Sequence, residues 1–208
     1  MRALFYVDMD NLTEIEAALG KSKDKSKMVL KTAINNAAKQ IENSMVTKAK
    51  VKYHFKKGNK GDIRKANTVK KANTGKLEAT VEAKGDVNEL LDFQVKPRDY
   101  FPRGNNIPEW VKARALRGSR LTKVALRPNA IGDKYKAFVI RYNSGHLALA
   151  QRVPGKRMKS KPHEEAVKSL LSSSIPKMEE TVYRAEIEEN MHDILIMNIE
   201  KQIQRFLK

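Results

Sequence analysis

Residues 75–97 read GKLEATVEAKGDVNELLDFQVKP, and their periodicity decides the fold class. Leu77, Ala79, Val81 and Ala83 alternate with Glu78, Thr80, Glu82 and Lys84, the period-two pattern of a strand with one buried face. Gly85-Asp86 is a turn signal, so the following run through Leu90, Phe93 and Val95 is expected to fold back as the partner of a hairpin. Upstream the period changes. Met28, Ala33, Ile34, Ala37, Ala38, Ile41 and Met45 recur at three- and four-residue steps, which predicts a helix opened by Asp24 with one apolar stripe. Lys27, Lys31, Asn35, Asn36, Lys39 and Glu42 fall on the opposite face. The alanines of the stripe would let a sheet or another helix approach closely.

Further out the same two periods recur. The N-terminal ALFYVDMD reads as a strand or an extended arm, followed by a short helix capped by Asn11 or Thr13 and ended by Gly20. DYFPRGNNIPEWVKARALRGS reads as a surface loop with a possible helical turn from Glu109 to Leu116. LTKVALRP, KYKAFVIRYNS and HLALAQRVP read as three strands, and PGKRMKSKP as a basic loop. Pro176 suits the first turn of a helix. From there to Leu207 the pattern is helical, with a stripe of Ile187, Met191, Ile194, Leu195, Ile199, Ile203 and Phe206. The expectation is one α+β domain over 1–208. It has a long N-terminal helix, a mainly antiparallel β-sheet and a C-terminal amphipathic helix.

The chain has 208 residues, with 42 Lys and Arg against 24 Asp and Glu, a net charge of +18. Such a surplus predicts attraction to polyanions and says nothing of fold. It is unevenly spread. From Lys48 to Lys76 there are eleven bases and only Asp62. Between Lys52 and Gly75 no periodic apolar face is visible, so about 52–75 reads as a basic, flexible excursion with room for one short helix or strand. Its candidate phosphate contacts are Lys48, Lys50, Lys52, Lys56, Lys57, Lys60, Arg64, Lys65, Lys70 and Lys71, with Lys76 at its end. Tyr53 and Phe55 are too few aromatics for a stacking platform, so sequence-independent backbone contact is expected. Gly58-Asn59-Lys60-Gly61 matches a G-x-x-G clamp over four residues, but the apolar helices that such a clamp needs are missing.

The catalytic possibilities are few. The absence of cysteine excludes disulfides, thiolate metal sites and a cysteine nucleophile. His54, His146, His163 and His192 form no compact ligand pair, and His163-Glu164-Glu165 reads as a solvated helix start. Asp8 and Asp10 could share one side of a strand as in two-metal nucleases. They equally suit the start of a helix. No phosphate-binding loop, nucleophile elbow or dinucleotide fingerprint occurs. No apolar run of about 18 residues is long enough to cross a bilayer, and acids at positions 8 and 10 fall too early for a leader's apolar region. The expectations are no catalytic residue, no cofactor, no metal and a cytoplasmic chain before assembly.

LLSSSIPKM, from Leu170 to Met178, precedes the terminal helix and resembles the G-P-S-I-P-Q-M segment of minor tail protein Z-like (tail completion) proteins of tailed bacteriophages and prophages. FQVKPRDYFP, from Phe93 to Pro102, is similar to the strand exit of the same proteins. Here Ser172-Ser173-Ser174 stands where that family has Gly-Pro-Ser, and Lys177 where Gln is common. The resemblance implies a structural virion protein near the head-proximal end of a tail or in the neck. Its implied partners are the tail terminator, the tail tube, the connector and further copies of itself in a ring, with possible non-specific DNA contact and no membrane. A sequence-independent nucleic-acid-binding protein is the alternative.

Overall fold

The computed structural model describes residues 2–6, 16–17, 19–20, 25–56, 62–102, 108–126 and 135–207. The fold is α+β. It divides into two compact units, where the sequence suggests one domain: unit 1 is Met1–Ala49, Asp62–Gly85 and Ile175–Lys208, and unit 2 is Lys50–Gly61 and Asp86–Ser174. Asp8, Asp10, Asn11, Thr13, Asp24, Lys57, Lys60 and the Gly58–Gly61 loop lie outside the described residues.

Unit 1 is built on helix α1 (Ser26–Lys52), whose last residues group with unit 2. Val29, Leu30, Ala33, Ile34, Ala37, Ala38, Ile41, Met45, Val46 and Ala49 are buried along one stripe. The phase differs slightly from expectation: Met28 is 46% exposed, and Glu42, placed on the solvent face by the heptad-like pattern, is buried. The helix also runs on past Met45, because Val46 and Ala49 continue the stripe. Strands β1 (Arg2–Tyr6), β2 (Asn67–Lys70) and β3 (Glu78–Ala83) form an antiparallel sheet in the order β1-β3-β2. Leu4 stands opposite Thr80, and Val69 opposite Val81. Ala79, Val81 and Ala83 are buried as their alternation predicts, but Thr80, expected on the other face, is buried too, and Leu77 precedes the strand and is half-buried.

The expected Gly85-Asp86 hairpin does not form. β3 is already paired on both edges by β1 and β2, so no edge is left for the next segment. The run after Gly85 enters unit 2 instead. The described part of the basic excursion, residues 52–56 and 62–75, holds the short element its sequence leaves room for. It contains a 3-10 turn (Ile63–Ala66) and β2, with Tyr53, Ile63 and Ala72 buried. Asn35 on α1 ties down the segment after β2: its Nδ2 donates to the Ala72 carbonyl at 3.1 Å, and its Oδ1 accepts from the Ala72 N–H at 2.8 Å. Three isolated apolar residues and one amide suffice where a periodic face is missing.

The C-terminal helical run is two helices. α2 (Ile175–Glu186) buries Ile175, Met178, Glu179 and Val182, and α3 (Met191–Leu207) buries Leu195, Ile199 and Gln202. A 3-10 turn at Glu188–Asn190 separates them. Glu188, Glu189 and Asp193 cluster where α3 begins, and acids there favour a fresh N-terminus over the middle of a continuous helix. Of the expected stripe, Ile187, Leu195 and Ile199 are buried, while Met191, Ile194, Ile203 and Phe206 are half-buried. Ile199→Ala is therefore expected to lower stability by about 2–5 kcal/mol. Met197→Ala, at a site 55% exposed, should change it by less than about 0.5 kcal/mol. Chemical unfolding of both variants checks the difference.

Unit 2 is antiparallel β structure. β4 (Asn88–Glu89) pairs with β13 (Leu171–Ser172), and β8 (Ala125–Leu126) with β9 (Tyr135–Lys136). β5 (Gln94–Lys96), β6 (Lys112–Arg114) and β7 (Thr122–Lys123) form one sheet in that order. β10 (Phe138–Arg141), β11 (Leu147–Arg157) and β12 (Glu165–Ser169) form another. Leu91, Val95, Val111, Ala113, Ala137, Val139 and Leu149 make the core.

Two segments read as loops are strands here. Val111 and Ala113 are buried, which makes 112–114 the central strand β6 where a helical turn had been possible. β11 continues through Pro154-Gly155 because the ladder to β12 shifts register between Arg152 and Arg157. Such a bulge accommodates a proline and a glycine at φ 70°.

Candidate functional site

Of the ten basic residues singled out by sequence, eight lie among the described residues, and they divide between the two units. Lys48 on α1, Arg64 and Lys65 on the 3-10 turn, Lys70 on β2 and Lys71 after it belong to unit 1. Lys50, Lys52 and Lys56 belong to unit 2. Several are paired with acids. Lys48 Nζ lies 2.7 Å from Glu186, Lys70 3.6 Å from Glu82, and Lys76 3.2 Å from Glu78. Arg64 donates to Asn43 Oδ1 at 2.7 Å and stands 3.9 Å from Glu42. The acids come from α1, β3 and α2, all outside residues 48–76, which is why summing charge along that stretch alone overstates the local field.

The two units differ sharply in charge. Unit 2 holds 23 Lys and Arg against 8 Asp and Glu, a net of +15, whereas unit 1 holds 19 against 16, a net of +3. A cleft of about 1600 Å³ opens within unit 2. Its floor and rim come from the β5 exit (Pro97 to Phe101), from β9 and β10, and from the β11–β12 connection. Five of its lining residues are cationic (Lys136, Arg141, Arg152, Lys159 and Lys161), and two are acidic (Asp99 and Glu164).

Aromatic rings are interleaved with these cations. Lys123 and Lys136 lie 4.8 and 4.7 Å from the Trp110 ring, Arg141 lies 5.2 Å from Tyr100, and Arg152 lies 5.7 Å from Phe138. Each such contact places a long, mobile cation over a ring face and reduces the entropy it loses on meeting an anion. Tyr100 and Tyr142 are 36% and 37% exposed. Tyr142 stacks on His146 at 6.0 Å and bonds Ser169 Oγ at 2.8 Å. Within the same unit, partial burial and then Arg114, Arg117 and Lys56 hold the His54 imidazole below its usual pKa.

Sequence reading passed over this face because its members come from five short segments. Individually, the arginines and lysines of 96–168 look like scattered solvated charges. The usable signal was that Trp110, the chain's only tryptophan, and several of its tyrosines lie in that stretch rather than in 48–76.

Unit 1 carries a different feature, a pair of buried carboxyls. Glu179 on α2 is fully buried, and its Oε1 accepts from Asn67 Nδ2 at 2.8 Å. Its Oε2 and Asn67 Oδ1 have no hydrogen-bond partner. Burial, partly offset by the Asn67 bond and reinforced by the charge of Glu42, pushes the Glu179 pKa up to about 7. Protonation there would supply an O–H to a site with two unmatched acceptor oxygens. Glu42 is satisfied differently, by an ion pair with Lys39.

Among the described residues no group of three or more His, Asp or Glu side chains could hold a metal. His146 pairs with Glu89 at 2.9 Å. No described helix is long and apolar enough to cross a membrane. The chain matches no family model, no curated protein and no solved structure.

Proposed function

We propose that this chain is a structural, non-catalytic component of a bacteriophage or prophage tail, completing the tail or joining it at the neck. In this reading unit 2 is turned toward DNA and unit 1 toward protein neighbours. The observation that carries it is the division of charge, +15 in one unit and +3 in the other. A surface that meets phosphates needs the first, and a surface that packs against protein is better served by the second.

Two features add support. The stretch resembling tail completion proteins spans Leu170 to Met178. It forms β13 and the start of α2, with Ile175 and Met178 buried as anchors of that helix. α3 leaves Met197 and Leu207 55% and 60% exposed, apolar surface that assembly would cover. A ring of identical copies requires one face to meet a different face of the next copy.

Loss of the gene in a phage that carries it is expected to yield heads and tails that fail to join, or joined particles that leak DNA. The protein should co-purify with intact particles in a fixed, multiple copy number. Normal particles and infectivity without the gene would refute the reading. The second reading, a free sequence-independent nucleic-acid-binding protein, is favoured by the same +15. It predicts tight, salt-sensitive DNA binding by the isolated chain and no enrichment in particles.

A further inference from the structure

We propose that the cleft of unit 2 is a binding site for single-stranded DNA, with bases stacking on its aromatic residues and phosphates meeting the cations beside them. The inference rests on the reading of unit 2 as the DNA-facing part and goes further, by naming the form of DNA and the residues that take it. The chemistry follows from the lining. Tyr100, Phe101, Tyr135, Phe138 and Tyr142 border the cleft together with Lys136, Arg141, Arg152, Lys159 and Lys161. Trp110, flanked by Lys123 and Lys136, sits between Pro108 and Val111, which also border it.

Three alternatives fit less well. A small metabolite fits less closely, since pockets for such ligands run to about 300–1000 Å³ against about 1600 Å³ here. An acidic peptide would satisfy the cations but present no planar groups to the rings. Duplex DNA would offer phosphates, yet its base faces are closed inside the stack. A single strand offers both a phosphate at each step and an open π-face, the pairing that cationic grooves with interleaved aromatics accept. Arg141 over Tyr100 and Arg152 over Phe138 repeat that unit of one ring and one cation within a single cleft, and a base that stacks there takes the ring's other face or displaces the cation toward its phosphate. Glu164 supplies local balance, standing 3.7 Å from Arg152 and 3.8 Å from Lys161.

Trp110 is the only tryptophan, so it reports on this site without a label. The full chain is titrated with oligothymidylate, with duplex DNA of equal phosphate number and with polyglutamate, following Trp110 fluorescence and anisotropy of the labelled probes. Oligothymidylate is expected to quench Trp110 and to bind about tenfold or more tighter than the duplex. Tyr100→Leu with Tyr142→Leu should remove most of that preference and leave duplex binding unchanged. Both tyrosines are at exposed sites, and circular dichroism checks that the variant folds. Lys136→Gln is the second variant, expected to weaken both DNA forms and to flatten the salt dependence. Equal affinity for single strand and duplex, or a preference that survives the tyrosine pair, would overturn the single-strand site while leaving a charge-based DNA face intact. Polyglutamate matching oligothymidylate would overturn it in favour of an acidic protein partner. Failure to bind any DNA at low salt would remove both this site and the DNA part of the proposed function.

Discussion

Glu179→Gln should make the protein more stable at pH 8 by up to about 3 kcal/mol. The fully buried carboxyl has its pKa raised from 4.5 to about 7, with burial the largest cause. Below pH 4.5 it is protonated in folded and unfolded chains alike, and it costs nothing. Between 4.5 and 7 the unfolded chain releases the proton that the folded chain keeps, so the stability contributed by this group falls as pH rises through that window. Above 7 both forms are ionised, and the penalty is constant. Glutamine keeps an oxygen for Asn67 Nδ2 and places an N–H donor where Oε2 now has no partner. Urea unfolding from pH 4 to 8 should show the advantage of the variant growing between 4.5 and 7 and then levelling. Parallel pH profiles for the two proteins would show that Glu179 ionises freely in the fold.

Phe93→Ala should cost about 3–5 kcal/mol. Phe93 is fully buried in unit 2, its ring tilted against Phe55 with centroids 5.4 Å apart. Its N–H donates to the Leu90 carbonyl at 3.1 Å, closing the turn that aims the side chain inward. Truncation removes the largest fully buried side chain among the described residues, and a short 3-10 turn offers little means of collapsing the void. Trp110 lies in the same unit and reads the transition directly, so its fluorescence midpoint should fall steeply. Phe55→Ala, at a half-buried position, should shift that midpoint much less. Equal effects from the two would place the packing centre elsewhere.

Local periodicity made the elements of unit 1 legible. α1 follows from Ile34, Ala37, Ala38 and Ile41, and the buried face of β3 from Ala79, Val81 and Ala83, because each pattern extends over several residues of one element. The α+β class follows from those two stretches alone. Partner choice was not legible. Whether β3 pairs with the next segment or with β1 and β2 depends on which strand reaches its edges first in space, and Gly85-Asp86 reads as a hairpin turn either way. Unit 2 was harder still. β4, β7, β8, β9 and β13 are two residues each, too short for any alternation to register. Nothing in the sequence singles out Glu179, since only the fold brings Asn67 and Glu42 to it. The charged candidates suffered from the same limit: sequence counts charges along the chain, and neutralisation happens across it.

Polyanion contact is expected at the cleft of unit 2 and not at the Arg64–Lys76 stretch of unit 1. Reactivity of individual lysines toward an acylating reagent, measured by mass spectrometry on the full chain with and without DNA, tests it most directly. Protection is expected at Lys123, Lys136, Lys159 and Lys161, with Lys65, Lys70, Lys71 and Lys76 still reactive in the complex. Protection concentrated on Lys65, Lys70, Lys71 and Lys76, with the lysines of the cleft still open to the reagent, would contradict it.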